Sequence, residues 1–493
     1  MNRLRNKLSL LSVCLAALAG GCTVGPNYNR PSATVPAHWD VQEPWRQSTP
    51  GDSIPKGDWW SVFSDEQLNS LEKECLAANQ TLKTAAAHLD QARATAQVQL
   101  ATQYPQVGTT PSAERQRISG NRPLNGSPIP LTGPATQNVY TLPFNVSYEV
   151  DLFGRRRRAI EAAQASYQAN AADFQNTNLV VTAELAADYF TLRQLDSEIG
   201  ILNRTVDTLQ RGLDLVISRH NGGIASGLDV AQEETLLDTT RTQAILLQQQ
   251  RKQFEDAIAA LVGKPAPDFH LASMELGAEP PSINTGLPSD LLERRPDIAE
   301  AERNMQVANA QIGIAKAAYY PSLVLYGSGG WQSADISQIM NGASGLWAIG
   351  ANVAESIFAG GARRAQTQFA QAGYDATVST YRDTVLNAFR EVQDSVTGLQ
   401  VLESAQKAQQ LAVEASDRTV NLATDRYKGG LVSYLDVVNA QQNYLTNQQQ
   451  MAVIQGQRLV TSVLLVKALG GGWDASSLAA IRAHSSLKDI VAP

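Results

Sequence analysis

The stretch Arg219 to Val230, RHNGGIASGLDV, returns in the second half of the chain as RYKGGLVSYLDV, Arg426 to Val437. At the same spacing Glu184 meets Glu391, Leu192 meets Leu399, Leu195 meets Leu402 and Gly263 meets Gly470. Further upstream Tyr104-Pro105 pairs with Tyr320-Pro321 at a slightly wider spacing, so the halves differ a little in length. A period this long is not the short repeat of a solenoid. It is one large unit, duplicated.

Each copy of the motif reads as the turn of a helical hairpin. Gly222-Gly223 and Gly429-Gly430 let the chain reverse. Ser226 with Asp229, and Ser433 with Asp436, have the spacing of a capping box that starts the returning helix. Residues 155–219 and 362–427 contain no proline, and at about 1.5 Å per residue each reaches roughly 100 Å as a helix. Ile199, Leu202, Val206, Leu209, Leu213 and Val216 step by threes and fours, the seam of a coiled coil. Helices return at about 228–262 and 435–469, where Ala244, Leu247, Phe254, Ile258 and Leu261 keep the same register. A surface two-helix bundle would explain each hairpin alone, but not the strands joined to it.

Those strands are clearest in YTLPFNVSYEVDLF, Tyr140 to Phe153. Tyr140, Leu142, Phe144, Val146, Tyr148, Val150 and Leu152 alternate with Thr141, Pro143, Asn145, Ser147, Glu149 and Asp151. One face is apolar and the other polar, as in a barrel wall between lipid and water. Trp347 to Phe358 repeats the pattern with Glu355 on the apolar side, and residues 105–118 and 321–331 read as partner strands. The connection holding Pro123, Pro128, Pro130 and Pro134 is a loop, as is the polar stretch at about 332–344. Both loops therefore leave the sheet on one side, with the helices on the other. Four such strands leave two open edges, which lipid does not tolerate, so closure needs several chains. Two chains give about eight strands and a filled interior, whereas three give about twelve and begin to leave a hole.

No later segment is apolar enough for a transmembrane helix. The N-terminus instead reads as an export signal, with Arg3, Arg5 and Lys7 ahead of an apolar run from Leu8 to Ala19 that is too short to span. It ends in Leu18-Ala19-Gly20-Gly21-Cys22, a lipobox-like sequence in which Cys22 becomes the acylated first residue; the alternative is an ordinary signal containing a cysteine. Cys14 leaves with the signal, so Cys75 is left without an intramolecular disulfide partner.

Composition closes off other classes. The 493 residues are 43% hydrophobic and 18% charged with net charge −7, which leaves no basic face for nucleic acid and rules out wholesale disorder. Aromatics are only 6%, and the surplus of Ala and Gln fits long helices. With five scattered His and three Cys, no metal and no cofactor are expected. No H-E-x-x-H, nucleophile elbow or Gly-rich phosphate loop is present, so no enzyme is expected either.

The lipobox followed by TVGPNY, the segment LLERRPDIAEAERN (Leu291 to Asn304), the Tyr-Pro strand starts and the paired G-G-x-x-S-x-L-D-V turns resemble TolC-like outer membrane factors. Within them the chain is most similar to the OprM-like lipoprotein branch of drug-efflux channels, from the signal to about Gly472. The resemblance implies a homotrimer with one twelve-stranded barrel and a long periplasmic tunnel of helices. It also implies a lipid anchor in the Gram-negative outer membrane, docking to a periplasmic adaptor and an inner-membrane pump, and conduction of small molecules outward. The alternatives are a non-conducting structural periplasmic coiled-coil lipoprotein, or a channel of the same family serving protein secretion.

The expected fold is mainly α with a membrane β-barrel, in two repeats. Its segments run as a signal over 1–21, a lipidated extended stretch over 22–60, a helix over 61–103 and strands over 104–153. A long hairpin follows over 154–263, a linker over 264–289, a second helix over 290–319 and strands over 320–358. The second hairpin covers 359–472 and a tail 473–493.

Two residue groups carry the functional interest. Arg155, Arg156, Arg157 and Arg158, with Arg363 and Arg364 in the second repeat, follow the strands. Cations there oppose the helix macrodipole, so they read either as anchors at phospholipid head groups or as a solvated basic run. The second group is at the turns, where Asp229 and Asp436 either only complete their caps or ring a closed periplasmic end. Family members carry acidic residues one turn apart here; Asp436 matches the first and Asn439 stands in the second place, which implies a less negative ring. A latching arginine of some members has no counterpart, since Leu431 and Val432 stand in that region. Leu435 is then expected to close the pore by apolar contact.

Overall fold

The computed structural model describes residues 23–33, 35–36, 39, 57–119, 135–277, 279–281 and 294–473. The expected export signal, Cys22, most of the loop after the first strands and most of the C-terminal tail lie outside the described residues.

A short 3-10 turn at Trp59–Phe63 leads into α1 (Glu66–Ala78) and α2 (Gln80–Ala101). The sequence reads a single helix here, but Asn79 breaks it. Its ψ of 128° leaves the helical region, its side chain accepts from the Leu82 N–H, and its amide donates to Leu261 O at 2.8 Å. A short polar side chain that bonds the backbone competes with the helix locally, which apolar periodicity does not reveal.

The sheet follows as β1 (Gln106–Thr109), β2 (Ser112–Ile118) and β3 (Ala135–Val150), then β4 (Ser322–Ser333) and β5 (Gly345–Ala354) from the second half. β1 and β2 pair in turn along one side of β3, β4 pairs along the other, and β5 lies outside β4, all antiparallel. The two repeats thus meet in the middle of one sheet. Register carries the alternation across it: Val107, Val146, Gly327 and Ile349 line up, as do Thr109, Phe144, Gly329 and Trp347. The opposite face carries rows such as Asn145, Ser328 and Ala348. One difference from the sequence reading concerns the last strand. β5 stops at Ala354, so Glu355 does not interrupt the apolar face, and Ile357 and Phe358 stand almost fully exposed beyond it.

Each half then enters its hairpin through a left-handed glycine, Gly154 (φ 81°) or Gly361 (φ 86°), a conformation that favours glycine. The helices are α3 (Arg155–Asn221) and α4 (Gly227–Leu261), then α5 (Pro296–Ala317) before β4, and α6 (Ala362–Lys428) with α7 (Tyr434–Ala468) after β5. α3 and α6 each have 67 residues, and α4 and α7 each have 35. α3 packs on α4, α5 and α7, which interlocks the halves along its length. None of the described helices is long and apolar enough to cross a membrane.

The core is a series of clusters strung along these helices rather than one centre. The largest gathers Trp59, Phe63, Leu68, Cys75, Tyr189, Phe190, Ile258 and Val463. A second joins Trp39 to Ile298, Met305, Tyr381 and Phe389, and a third lies near the turns around Leu209, Leu213, Leu237 and Val437. Each fully buried Leu contributes roughly 1.5–3 kcal/mol relative to exposure, so the hairpins are fixed by many separate contacts.

Candidate functional site: the hairpin tips and the strand-to-helix boundary

At the first tip, the Asp229 N–H donates to Ser226 Oγ and the Ser226 N–H to Asp229 Oδ2, both at 3.2 Å. At the second, the Ser433 N–H donates to Asp436 Oδ2 at 3.0 Å and the Ser433 hydroxyl does so at 2.7 Å. The turns close alike, with Gly223 at φ 74° and Gly430 at φ 70° behind Gly222 and Gly429. The Ile224 N–H reaches Arg219 O and the Leu431 N–H reaches Arg426 O, each at 2.9 Å.

The surroundings of the two carboxylates differ. Leu435, Asp436 and Asn439 lie on one exposed stripe of α7, while Tyr434, Val437 and Val438 are buried behind it. Asp229 is half-buried and faces the second hairpin, where its charge adds to burial in raising the Tyr427 phenol above its ordinary value. The Tyr427 and Tyr434 rings lie 4.8 Å apart, and the Arg219 guanidinium sits 5.1 Å from the Tyr427 ring centre. Arg219, Tyr427, Tyr434 and the buried Glu233 are residues that reading the motif alone misses. A signal was available: Tyr427 and Tyr434 are where the second copy departs from His220 and Gly227 of the first.

The other group sits at the strand-to-helix boundary. Arg155 pairs with Glu149 at 2.6 Å and Arg157 with Asp151 at 3.1 Å, while Arg156 lies 3.7 Å from Glu149 and over the Tyr148 ring. Asp151 also accepts the Arg156 and Arg157 N–H groups, at 3.2 and 3.0 Å. A carboxylate at the start of α3 offsets the cations that oppose its dipole. In the second repeat, Arg363 bonds Ser356 O and lies over Tyr319, and Arg364 is exposed.

Arg158 corrects the expectation that the whole run anchors to lipid. It is 3% exposed, and it bonds Glu161 at 2.7 Å, Asn27 at 2.9 Å and the Val24 and Gly25 carbonyls at 3.4 Å. Its guanidinium is therefore taken up by an N-terminal strap that runs back over the helices. Along that strap Val24 N–H donates to Phe153 O at 3.1 Å, and Pro26 O accepts from Asn309 at 3.1 Å. Arg30 then lies 3.5 Å from Glu302 and donates to the Tyr381 hydroxyl, and Trp39 meets Phe389 edge to face at 6.0 Å. The strap begins at the boundary itself, with Thr23 against Gly154. Cys22, the residue before it, lies outside the described residues.

A family model described as "Outer membrane efflux protein" matches residues 71–264 and again 287–471, one match in each half. The chain belongs to the outer membrane efflux protein family. It is 33% identical over 468 residues to the probable efflux pump outer membrane protein TtgC of Pseudomonas putida, covering 94% of this chain and 96% of that one. It is 31% identical to the pyoverdine export outer membrane protein OpmQ of Pseudomonas aeruginosa, over 94% and 97% of the two chains. The solved outer membrane channel CmeC of Campylobacter jejuni superposes with a TM-score of 0.83 at 25% identity, over 92% of this chain and 96% of that one. The duplicated sheet and hairpins are the architecture of such a channel, and the family's work, efflux through the outer membrane, is the work of this chain.

Proposed function

We propose that three copies of this chain close one barrel and one tunnel, carrying small molecules outward from an inner-membrane pump and a periplasmic adaptor. The observation that carries this is the sheet. One face is apolar along β3, β4 and β5, and the outer strands, β1 with β2 on one side and β5 on the other, have no further partner among the described residues. Such edges are intolerable in lipid, and identical copies joined edge to edge satisfy both at once. Counting β1 and β2 as one crossing gives twelve crossings for three chains, wide enough to begin to leave a lumen.

The hairpins form the periplasmic tunnel, with α3 and α6 each about 100 Å long. Gly222-Gly223 and Gly429-Gly430 make its lower end, and Leu435, Asp436 and Asn439 ring the axis there. Asp229 serves the contact between hairpins instead, as its half-burial against Tyr427 supports. Arg155, Arg156, Arg157, Arg363 and Arg364 lie at the periplasmic head groups, with Arg158 holding the strap. The position of Thr23 at that same boundary supports acylation of Cys22, whose chains would enter the bilayer beside it.

Purified protein should run as a trimer by light scattering in detergent and conduct ions in planar bilayers. A monomer, or a trimer that never conducts, would overturn the reading. Cys22→Ser should abolish palmitate labelling; labelling that persists would remove the lipid anchor from the account.

A further inference from the structure

Glu233 lies one turn beyond the first capping box, on the side of α4 turned toward the second hairpin. It is 0% exposed, and neither carboxyl oxygen accepts a hydrogen bond of ordinary geometry. A Cβ on Gly212 would fall 2.5 Å from Glu233 Oε1 and 3.7 Å from the Tyr434 hydroxyl. The carboxyl, the bare backbone of α3 and the hydroxyl of α7 therefore meet at one point. Leu209, Leu213 and Val216 of α3, Leu236 and Leu237 of α4, and Val437 and Val438 of α7 make this stretch apolar.

Among the described residues, no cation acts on this carboxyl. From α7 the Tyr434 hydroxyl is the group that acts on the carboxyl. From α6 comes Tyr427, which acts on Tyr434, as does Asp229 of α4 itself. Arg219 of α3 acts on Tyr427 rather than on Glu233. Burial raises the Glu233 carboxyl above the ordinary carboxylate range, against a smaller opposing pull from Tyr434.

We propose that Glu233 positions the gate: it holds a proton while the hairpins are together, and gives that proton to water when α4 parts from α7. This rests on reading the turns as the closed end of the channel. The sign follows from linkage. The closed tip binds the proton more tightly than the hydrated open one, so acid favours closure and the channel opens as pH rises through the shifted value. One proton per subunit gives up to about a tenfold change in the open-to-closed ratio per pH unit for each subunit that opens.

The test records full-length protein in planar bilayers from about pH 5 to about pH 8.5, with trimer yield measured for each variant. The parent should open more as pH rises. Glu233→Gln, and Glu233→Leu as a second neutral variant, should stay flat. Tyr434→Phe should raise the open fraction on the alkaline side, because the closed carboxylate loses the hydroxyl that favours it. Gly212→Ala should raise the open fraction at every pH by displacing the carboxyl. A parent that conducts without pH dependence, or a slope that survives in either neutral variant, overturns the proposal alone. A parent that never conducts overturns the channel reading, and this inference with it.

Discussion

The two hairpin turns have nearly the same backbone and different surroundings. Both pair Gly-Gly with a Ser-to-Asp cap, and in both the backbone N–H two residues after the first glycine returns to the arginine that opens the motif. Yet Gly227 stands at the exposed start of α4, while its counterpart Tyr434 is buried against α3 and Glu233. Duplication supplied the turn, and divergence at a few positions supplied the contact between hairpins. Shared residues of a repeat mark what each copy needs for itself; residues that differ mark what the copies do to each other.

The largest effect should come from erasing that difference. Tyr434→Ala removes a buried ring from the cluster near the tips, a change that costs roughly 3–5 kcal/mol for large aromatic side chains. Gly227→Ala in the first turn has room, since its Cβ would meet only His220 Cε1 at 3.8 Å. It should change stability by no more than about 0.5 kcal/mol. Amide hydrogen exchange at the tips reads both. Equal loss of protection in the two variants would mean that the turns are equivalent after all.

The sheet permits the same kind of comparison between faces of one strand. Val146→Lys puts a charge in the row with Val107 and Ile349, at roughly 2–4 kcal/mol per subunit if the row lies at the bilayer midplane. Asn145→Lys, one residue away on the polar face, should cost far less. The amount of assembled trimer in outer-membrane extracts should fall for the first and not for the second. Equal yields would mean that the facing of β3 is reversed or that the sheet does not sit in lipid.

How much of this was legible depended on whether the signal was local. The alternation from Tyr140 to Val150, the coiled-coil seam from Ile199 to Val216 and the duplicated turns each lie within a short window, and they carry the fold class. The break at Asn79 was hidden because a capping side chain sits within apolar spacing that continues past it. The strap was hidden for another reason. Arg158 looks like one more surface cation in a run of four, and contacts far off in sequence, with Val24, Gly25, Asn27 and Gly313, bury it. Glu233 and Tyr434 belong to different halves, so no spacing rule joins them. At the tips, sequence gives the caps and tertiary structure gives the partners.

A small effect on stability is expected from the change that separates the two caps by function. Asp229 and Asp436 do the same work for their helices, but Asp229 is half-buried toward Tyr427 and Asp436 lies on the exposed stripe with Leu435 and Asn439. In a trimer, Asp436 would recur around the axis. Carboxylates held close in a narrow opening concentrate cations there, with bulk salt screening them incompletely. Asparagine keeps an acceptor for the cap, so either Asp→Asn change should alter stability by less than about 1 kcal/mol. Asp436→Asn should nevertheless lower the preference for cations, and Asp229→Asn should leave it nearly unchanged. Reversal potentials under a salt gradient measure this directly. If Asp436→Asn matches the parent in its cation-to-anion ratio, Asp436 is a cap like Asp229, and the opening owes its selectivity to other residues.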